Sequence, residues 1–106
     1  MVKQEIKILV RRFVSTLRDV NIRVRKIVLY GSAARNKGRI DGDIDIAVIS
    51  DDFGKDRMKE GMLLFRIASK IDPRIEPIPI SSRAYKQDGW IPLLHEIKST
   101  GIEITL

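Results

Sequence analysis

Apolar residues recur at helical spacing near the start of the chain. Ile6, Leu9, Val10, Phe13 and Leu17 fall at i, i+3, i+4, i+7 and i+11, one face of an amphipathic helix over residues 3–19. Asn21 breaks that pattern. Residues 25–30, RKIVLY, are β-branched and aromatic and predict a strand ending at Gly31. Ser32 then caps a short helix over 32–36, its hydroxyl accepting from the free amides of the first turn. NKGRIDG is a turn, and DIDIAVIS (43–50) is a second strand. After the loop DDFGKD, residues 55–71 predict a second long helix, with Met58, Met62, Phe65 and Ile71 among its apolar positions. Asp72-Pro73 ends it, because a residue before proline is pushed out of the α region.

RIEPIPI (74–80) is a third strand. Its Pro77 and Pro79 cannot donate ladder hydrogen bonds, so one side should be an edge. SSRAYKQDG reads as a loop, and WIPLLHEIKST as a helix stopped at Gly101, a left-handed cap. IEITL is a last short strand. The order α-β-α-β-α-β-α-β predicts an α/β fold with one sheet, a single domain over residues 1–106.

Composition narrows the function. Hydrophobic residues make up 43% of the chain, enough for one real core. Cysteine is absent, which excludes a disulfide framework, a thiolate metal site and a cysteine nucleophile. Charges interrupt the N-terminal stretch, and no apolar run is long enough to span a bilayer. A cytoplasmic protein without a membrane partner is expected. The net charge of +6 suggests an anionic partner such as a nucleotide, RNA or an acidic protein surface. The basic residues are scattered rather than gathered in a tail, however, so a solvated surface explains most of them and nucleic acid is not the favoured partner.

The informative stretch is LYGSAARNKGRIDGDIDIAVIS, Leu29 to Ser50. Side chains alternate along a strand, so Asp43 and Asp45 point to one face while Ile44, Ile46 and Val48 point into the core. Two carboxylates that close repel unless a cation sits between them, and a divalent ion with oxygen ligands, most naturally Mg²⁺, resolves the conflict. Gly31 permits close approach to the backbone, and a helix starting at Ser32 aims amides at an anion. A phosphate cradle facing a carboxylate–Mg²⁺ site is the layout of nucleotidyl or phosphoryl transfer. Glu76, mid-strand in RIEPIPI, is either a third carboxylate of the site or an edge-strand charge that discourages aggregation, and Arg35 and Lys37 either reach a triphosphate or are solvated. Asp41 reads as a turn residue. Walker A and GxGxxG loops are absent, and the DGDID opening fails as an EF-hand because Ile46 occupies the glycine position. His95, the only histidine, reads as a surface or packing residue.

Gly31-Ser32, ten residues, then Asp43-x-Asp45 resembles the GS-x10-DxD signature of the DNA polymerase β-like nucleotidyltransferase superfamily, and the short chain is similar to its minimal nucleotidyltransferase (MNT) branch. The resemblance implies the nucleotidyltransferase fold, a small mixed β-sheet packed by helices. It implies that Gly31, Ser32 and Arg35 bind nucleotide and that Asp43, Asp45 and Glu76 form a catalytic, two-metal Mg²⁺ site with ATP as substrate. Many MNT proteins are antitoxins of HEPN-domain toxins, and some transfer AMP to a toxin tyrosine. A HEPN toxin is therefore the implied partner. At this size the acceptor site is expected to form with the partner, through the edge strand or the hydrophobic GWIPLL. Three departures stand out: Gly42 before the first aspartate where serine is frequent, Asn36 where glycine is common, and Glu76 for the usual aspartate. The alternative is a catalytically weak nucleotide-binding antitoxin that neutralises its partner by binding alone.

Overall fold

The computed structural model describes residues 2–35, 42–87 and 91–106. Asn36, Lys37, Asp41 and Trp90, singled out above, lie outside them. The elements run α1 (Gln4–Asp19), β1 (Val24–Leu29), α2 (Gly31–Arg35), β2 (Ile44–Ser50), α3 (Arg57–Ile71), β3 (Ile75–Ser81), α4 (Ser82–Lys86), α5 (Pro92–Thr100) and β4 (Ile102–Ile104). The four strands form one mixed sheet in the order β3-β2-β1-β4. β1 pairs antiparallel with both β2 and β4, while β2 and β3 pair in parallel across the α3 crossover.

The helical stripe of α1 does what its spacing requires. Ile6, Val10, Phe13 and Leu17 are fully buried against one face of the sheet, with Leu9 partly buried beside them. Asn21 ends the run in the left-handed region, at φ 65°, a conformation Asn tolerates better than most residues. Leu64 and Ala68 of α3 join the same cluster, as do Ile27, Leu29, Ile44, Ile46, Val48 and Ile75. The opposite face carries a second, smaller core in which Val28, Ala47, Ile49 and Ile80 meet Leu94 and Ile97 of α5. Both faces of β2 are therefore covered. Pro77 and Pro79 sit on β3, an edge strand, as their missing amides require.

Three expectations are corrected below. The helix α3 forms, but its apolar Met58, Met62 and Phe65 stay outside the core: they are 77%, 58% and 60% exposed and form a stripe on its solvent side. Helical spacing was satisfied equally by the other face, where Leu64 and Ala68 won the burial. The segment expected to be a loop after β3 contains α4, whose first turn is capped by the Ser81 hydroxyl accepting from the Ala84 amide at 3.0 Å. Ser32 is not a cap, since the helix begins at Gly31. Gly101 is not left-handed: its backbone is extended, with φ −71° and ψ 157°. Glycine is required there by space, because a Cβ would collide with the Ile97 carbonyl oxygen and Val28 Cγ1.

That geometry gives a test. Gly101→Ala and Gly101→Asn should each destabilise the protein by about 1–3 kcal/mol, the usual cost of overpacking. A left-handed cap would have spared asparagine. Gly42→Ala, with nothing within 4 Å of the added carbon, should stay within about 0.5 kcal/mol. Urea denaturation separates the three.

The entrance to β3 is fixed by polar contacts. Asp72 accepts from the Arg74 backbone amide at 2.9 Å and pairs with its guanidinium at 2.7 Å, which holds the Asp72 carboxyl down at about 2. The Arg74 carbonyl in turn accepts the Ile44 amide at 2.8 Å. This turn starts the β2–β3 ladder and so sets which residues of the two strands face each other.

Candidate active site

The β2–β3 register places Asp45 directly beside Glu76. Both follow the parity of the residues that pack on α5, so they lie on the smaller-core face of the sheet, near the start of the two strands. Their carboxyls are in hydrogen-bond contact. Such a pair needs a shared proton or a cation between its oxygens. Burial pushes the Asp45 carboxyl above the usual carboxylate range, and the charges of Asp43 and Glu96 push it further, while the hydrogen bond from Glu76 opposes them. Loss of water also raises Glu76, helped by Asp43 and by the contact with Asp45. Asp43 precedes β2 and is exposed.

Gly31 is the other fixed point. Its φ is +67°, and a Cβ there would lie 2.7 Å from Asp45 Oδ2. The space a side chain would fill is thus occupied by the Asp45 carboxylate, which rests against the turn between β1 and α2. The Tyr30 amide donates to the Asp45 carbonyl at 3.0 Å, closing the same turn onto β2. Gly31 therefore stands next to Asp45, and Ser32 follows it in the first turn of α2. Arg35 is exposed at the far end of α2. His95 is exposed on α5 and takes no part.

Two residues of the cluster escaped the sequence reading. Tyr30 is half-buried, and burial together with the negative charge of Asp45, Glu96 and Glu76 pushes its hydroxyl up to about 12. It stays protonated and is a hydrogen-bond donor at neutral pH. Glu96 brings a further carboxylate from α5. Neither belongs to the GS-x10-DxD stretch. The signal for Tyr30 was its parity with Val28, which faces α5.

Among the described residues, no three His, Cys, Asp or Glu side chains are grouped closely enough to hold a metal ion alone. The Asp45–Glu76 pair nevertheless suits Mg²⁺, which is usually bound through one or two carboxylates, waters and substrate phosphates rather than an all-protein cage.

Residues 14–105 match the family described as polymerase beta nucleotidyltransferase. The chain belongs to that family. The match takes in every strand and all helices but the first part of α1. No curated relative matches the chain. Its fold is similar to that of a proposed nucleotidyltransferase from Sulfolobus solfataricus, at 12% identity and TM-score 0.63 over 93% of this chain and 78% of the other. It is also similar to a chain from a Shewanella oneidensis complex of a tri-AMPylated HEPN toxin with an MNT antitoxin, at 20% identity and TM-score 0.57 over 94% and 71%. A third likeness is to the MntA–HepT toxin–antitoxin pair carrying two Asp-to-Glu substitutions spaced two residues apart, at 18% identity and TM-score 0.58 over 90% and 71%. The nucleotidyltransferase family thus accounts for the mixed sheet, and no helix among the described residues is long and apolar enough to cross a membrane.

Proposed function

We propose that this nucleotidyltransferase domain transfers AMP from ATP to a tyrosine hydroxyl of a partner HEPN toxin, as the antitoxin of a toxin–antitoxin pair. The observation that carries the reading is the Asp45–Glu76 contact beside Gly31, in a chain of this family. The likeness to a complex holding a tri-AMPylated HEPN toxin and an MNT antitoxin supports AMP as the group transferred and a HEPN toxin as the partner.

The residues divide the work. Asp45 and Glu76, with Asp43 at the strand entrance, would hold Mg²⁺. When bound, the ion neutralises the phosphates and polarises the α-phosphorus for attack. Gly31, Ser32 and Arg35 orient the triphosphate. The acceptor oxygen forms a bond to the α-phosphorus, the bond from that phosphorus to the β-bridging oxygen breaks, and pyrophosphate leaves. Glu76 takes the hydroxyl proton. Tyr30 stays protonated and adds no negative charge to the cluster.

The test is incubation with host-cell lysate, MgCl₂ and ATP labelled on the α-phosphate. A labelled protein band that requires Mg²⁺ is the expected result. A co-purifying partner without label would sink the enzyme and leave the alternative, an antitoxin acting by contact alone. That no three such side chains among the described residues are grouped to hold a metal favours that second reading.

Metal binding has its own readout. MgCl₂ at about a hundred times its dissociation constant should stabilise the wild-type protein by roughly 2.7 kcal/mol, seen as a rise in melting temperature. Asp45→Asn should lose most of that rise. An equal response in both proteins would place the ion elsewhere.

A further inference from the structure

A second concave site lies on the α4–α5 face, at the opposite end of β2 from Asp45. It encloses about 530 Å³ between β1, β2, α4 and α5. Ile49, on its floor, is four residues along the strand from Asp45, about 13 Å at the rise of an extended chain. The cleft shares no lining residue with the carboxylate cluster.

Its walls have the opposite charge to the cluster. Arg25, Lys26, Lys86 and Lys98 line it from three separate elements, and among the described residues Asp51 is the one carboxylate with them. That carboxylate is already paired: Arg25 Nε donates to it at 3.0 Å. Half-buried Tyr85 supplies an aromatic surface, with Lys98 Nζ at 5.1 Å and Lys26 Nζ at 5.6 Å from the ring centroid. Cations gathered around an aromatic face in a cleft of this volume match a planar ring carrying phosphate. A bare phosphate would leave most of the volume unfilled. A nucleic-acid strand needs an open groove tracking several nucleotides, whereas this cleft has room for one.

We propose that the cleft is a second nucleotide site, in which Lys86 and Lys98 take the phosphate and Tyr85 stacks against the base. A phosphate drawing the ammonium groups off the Tyr85 ring would leave its face open for the base. The site is separate from the transfer reaction proposed above, and a chain with no transferase activity would still have it.

The test is calorimetric titration of the full chain with AMP in EDTA, so that no divalent ion assists the carboxylate cluster. AMP should bind, and Asp45→Asn should bind it equally. The double variant Lys86→Gln/Lys98→Gln should bind about tenfold more weakly or worse, the loss expected from removing charge-assisted hydrogen bonds. Tyr85→Leu should weaken binding by about fivefold or more. Should the double variant melt early, Lys86→Gln alone, at an exposed position, serves in its place. The proposal is overturned if AMP does not bind in EDTA, if Asp45→Asn abolishes binding, or if the lysine variants bind like wild type. It is overturned equally if pyrophosphate binds as tightly as AMP, which would leave the ring without a role, or if a single-stranded oligonucleotide binds about tenfold tighter than AMP, which would make the cleft part of a strand groove.

Discussion

Asp45→Asn should eliminate labelled product while making the protein harder to unfold. The loss of transfer should be on the order of 10³-fold, the scale of removing one preorganised charge-stabilising group. The gain in stability has a different source. Asp45 is held among Asp43, Glu76 and Glu96, and burial raises its affinity for a proton. A carboxyl whose folded pKa exceeds its unfolded one binds protons more tightly in the native state. Stability is then lost as pH climbs from the ordinary carboxylate pKa through the raised one. Asparagine carries no such charge. Its advantage should be absent below the ordinary carboxylate pKa of about 4 and fully present at neutral pH, seen as a higher melting temperature there. The measurement is a pair of melting curves across pH in EDTA, alongside the transfer assay. An Asn variant that loses both activity and stability would indicate a packing role and remove the argument for charge crowding.

The second large effect is expected at Gly31. Gly31→Ala forces a side chain into the left-handed region and into the Asp45 carboxylate at 2.7 Å. The backbone cost alone is about 1–2 kcal/mol. Because the carboxylate must move, transfer should fall by about 10²-fold beyond what the loss of folded protein explains, as misplacing a reacting group by about 1 Å does. The check is kcat per folded molecule, with the folded fraction taken from denaturation of the same sample. Activity that tracks the folded fraction alone would show that the Asp45 position tolerates the shift. Gly31 thereby gains a role different from the one its sequence position implied: the space above it admits a neighbouring side chain of the same protein.

The site was legible because its signal is local. Gly31-Ser32 and Asp43-x-Asp45 sit at the ends of two strands that pair as an antiparallel neighbour set, so spacing in sequence became adjacency in space. The α1 stripe was equally legible, since a long helix with one apolar face has one way to bury it. Pro77 and Pro79 marked the edge correctly. What failed depended on tertiary choice. α3 is apolar on more than one side, and periodicity could not say whether Leu64 or Phe65 would be covered. α4 spans five residues, SRAYK, too short for any period to show. Gly101 was read through the commonest use of glycine at a helix end, whereas its reason is the approach of Val28 on β1, 73 positions earlier in the chain. Tyr30 and Glu96 meet only when α5 packs on the sheet, and nothing along the chain announces that contact.

The parallel pairing of β2 with β3 also sets a sequence of events. β1 and β2 can pair early, as near neighbours in the chain. Asp45 and Glu76, 31 positions apart, meet only after α3 has formed and closed the long connection between their strands. Closing a long connection before its contacts form makes such pairing slow. The repulsion between Asp45 and Glu76 therefore arises only once the β2–β3 pairing is made. Chemical competence arrives last, so a half-made chain carries the residues of the site without the site.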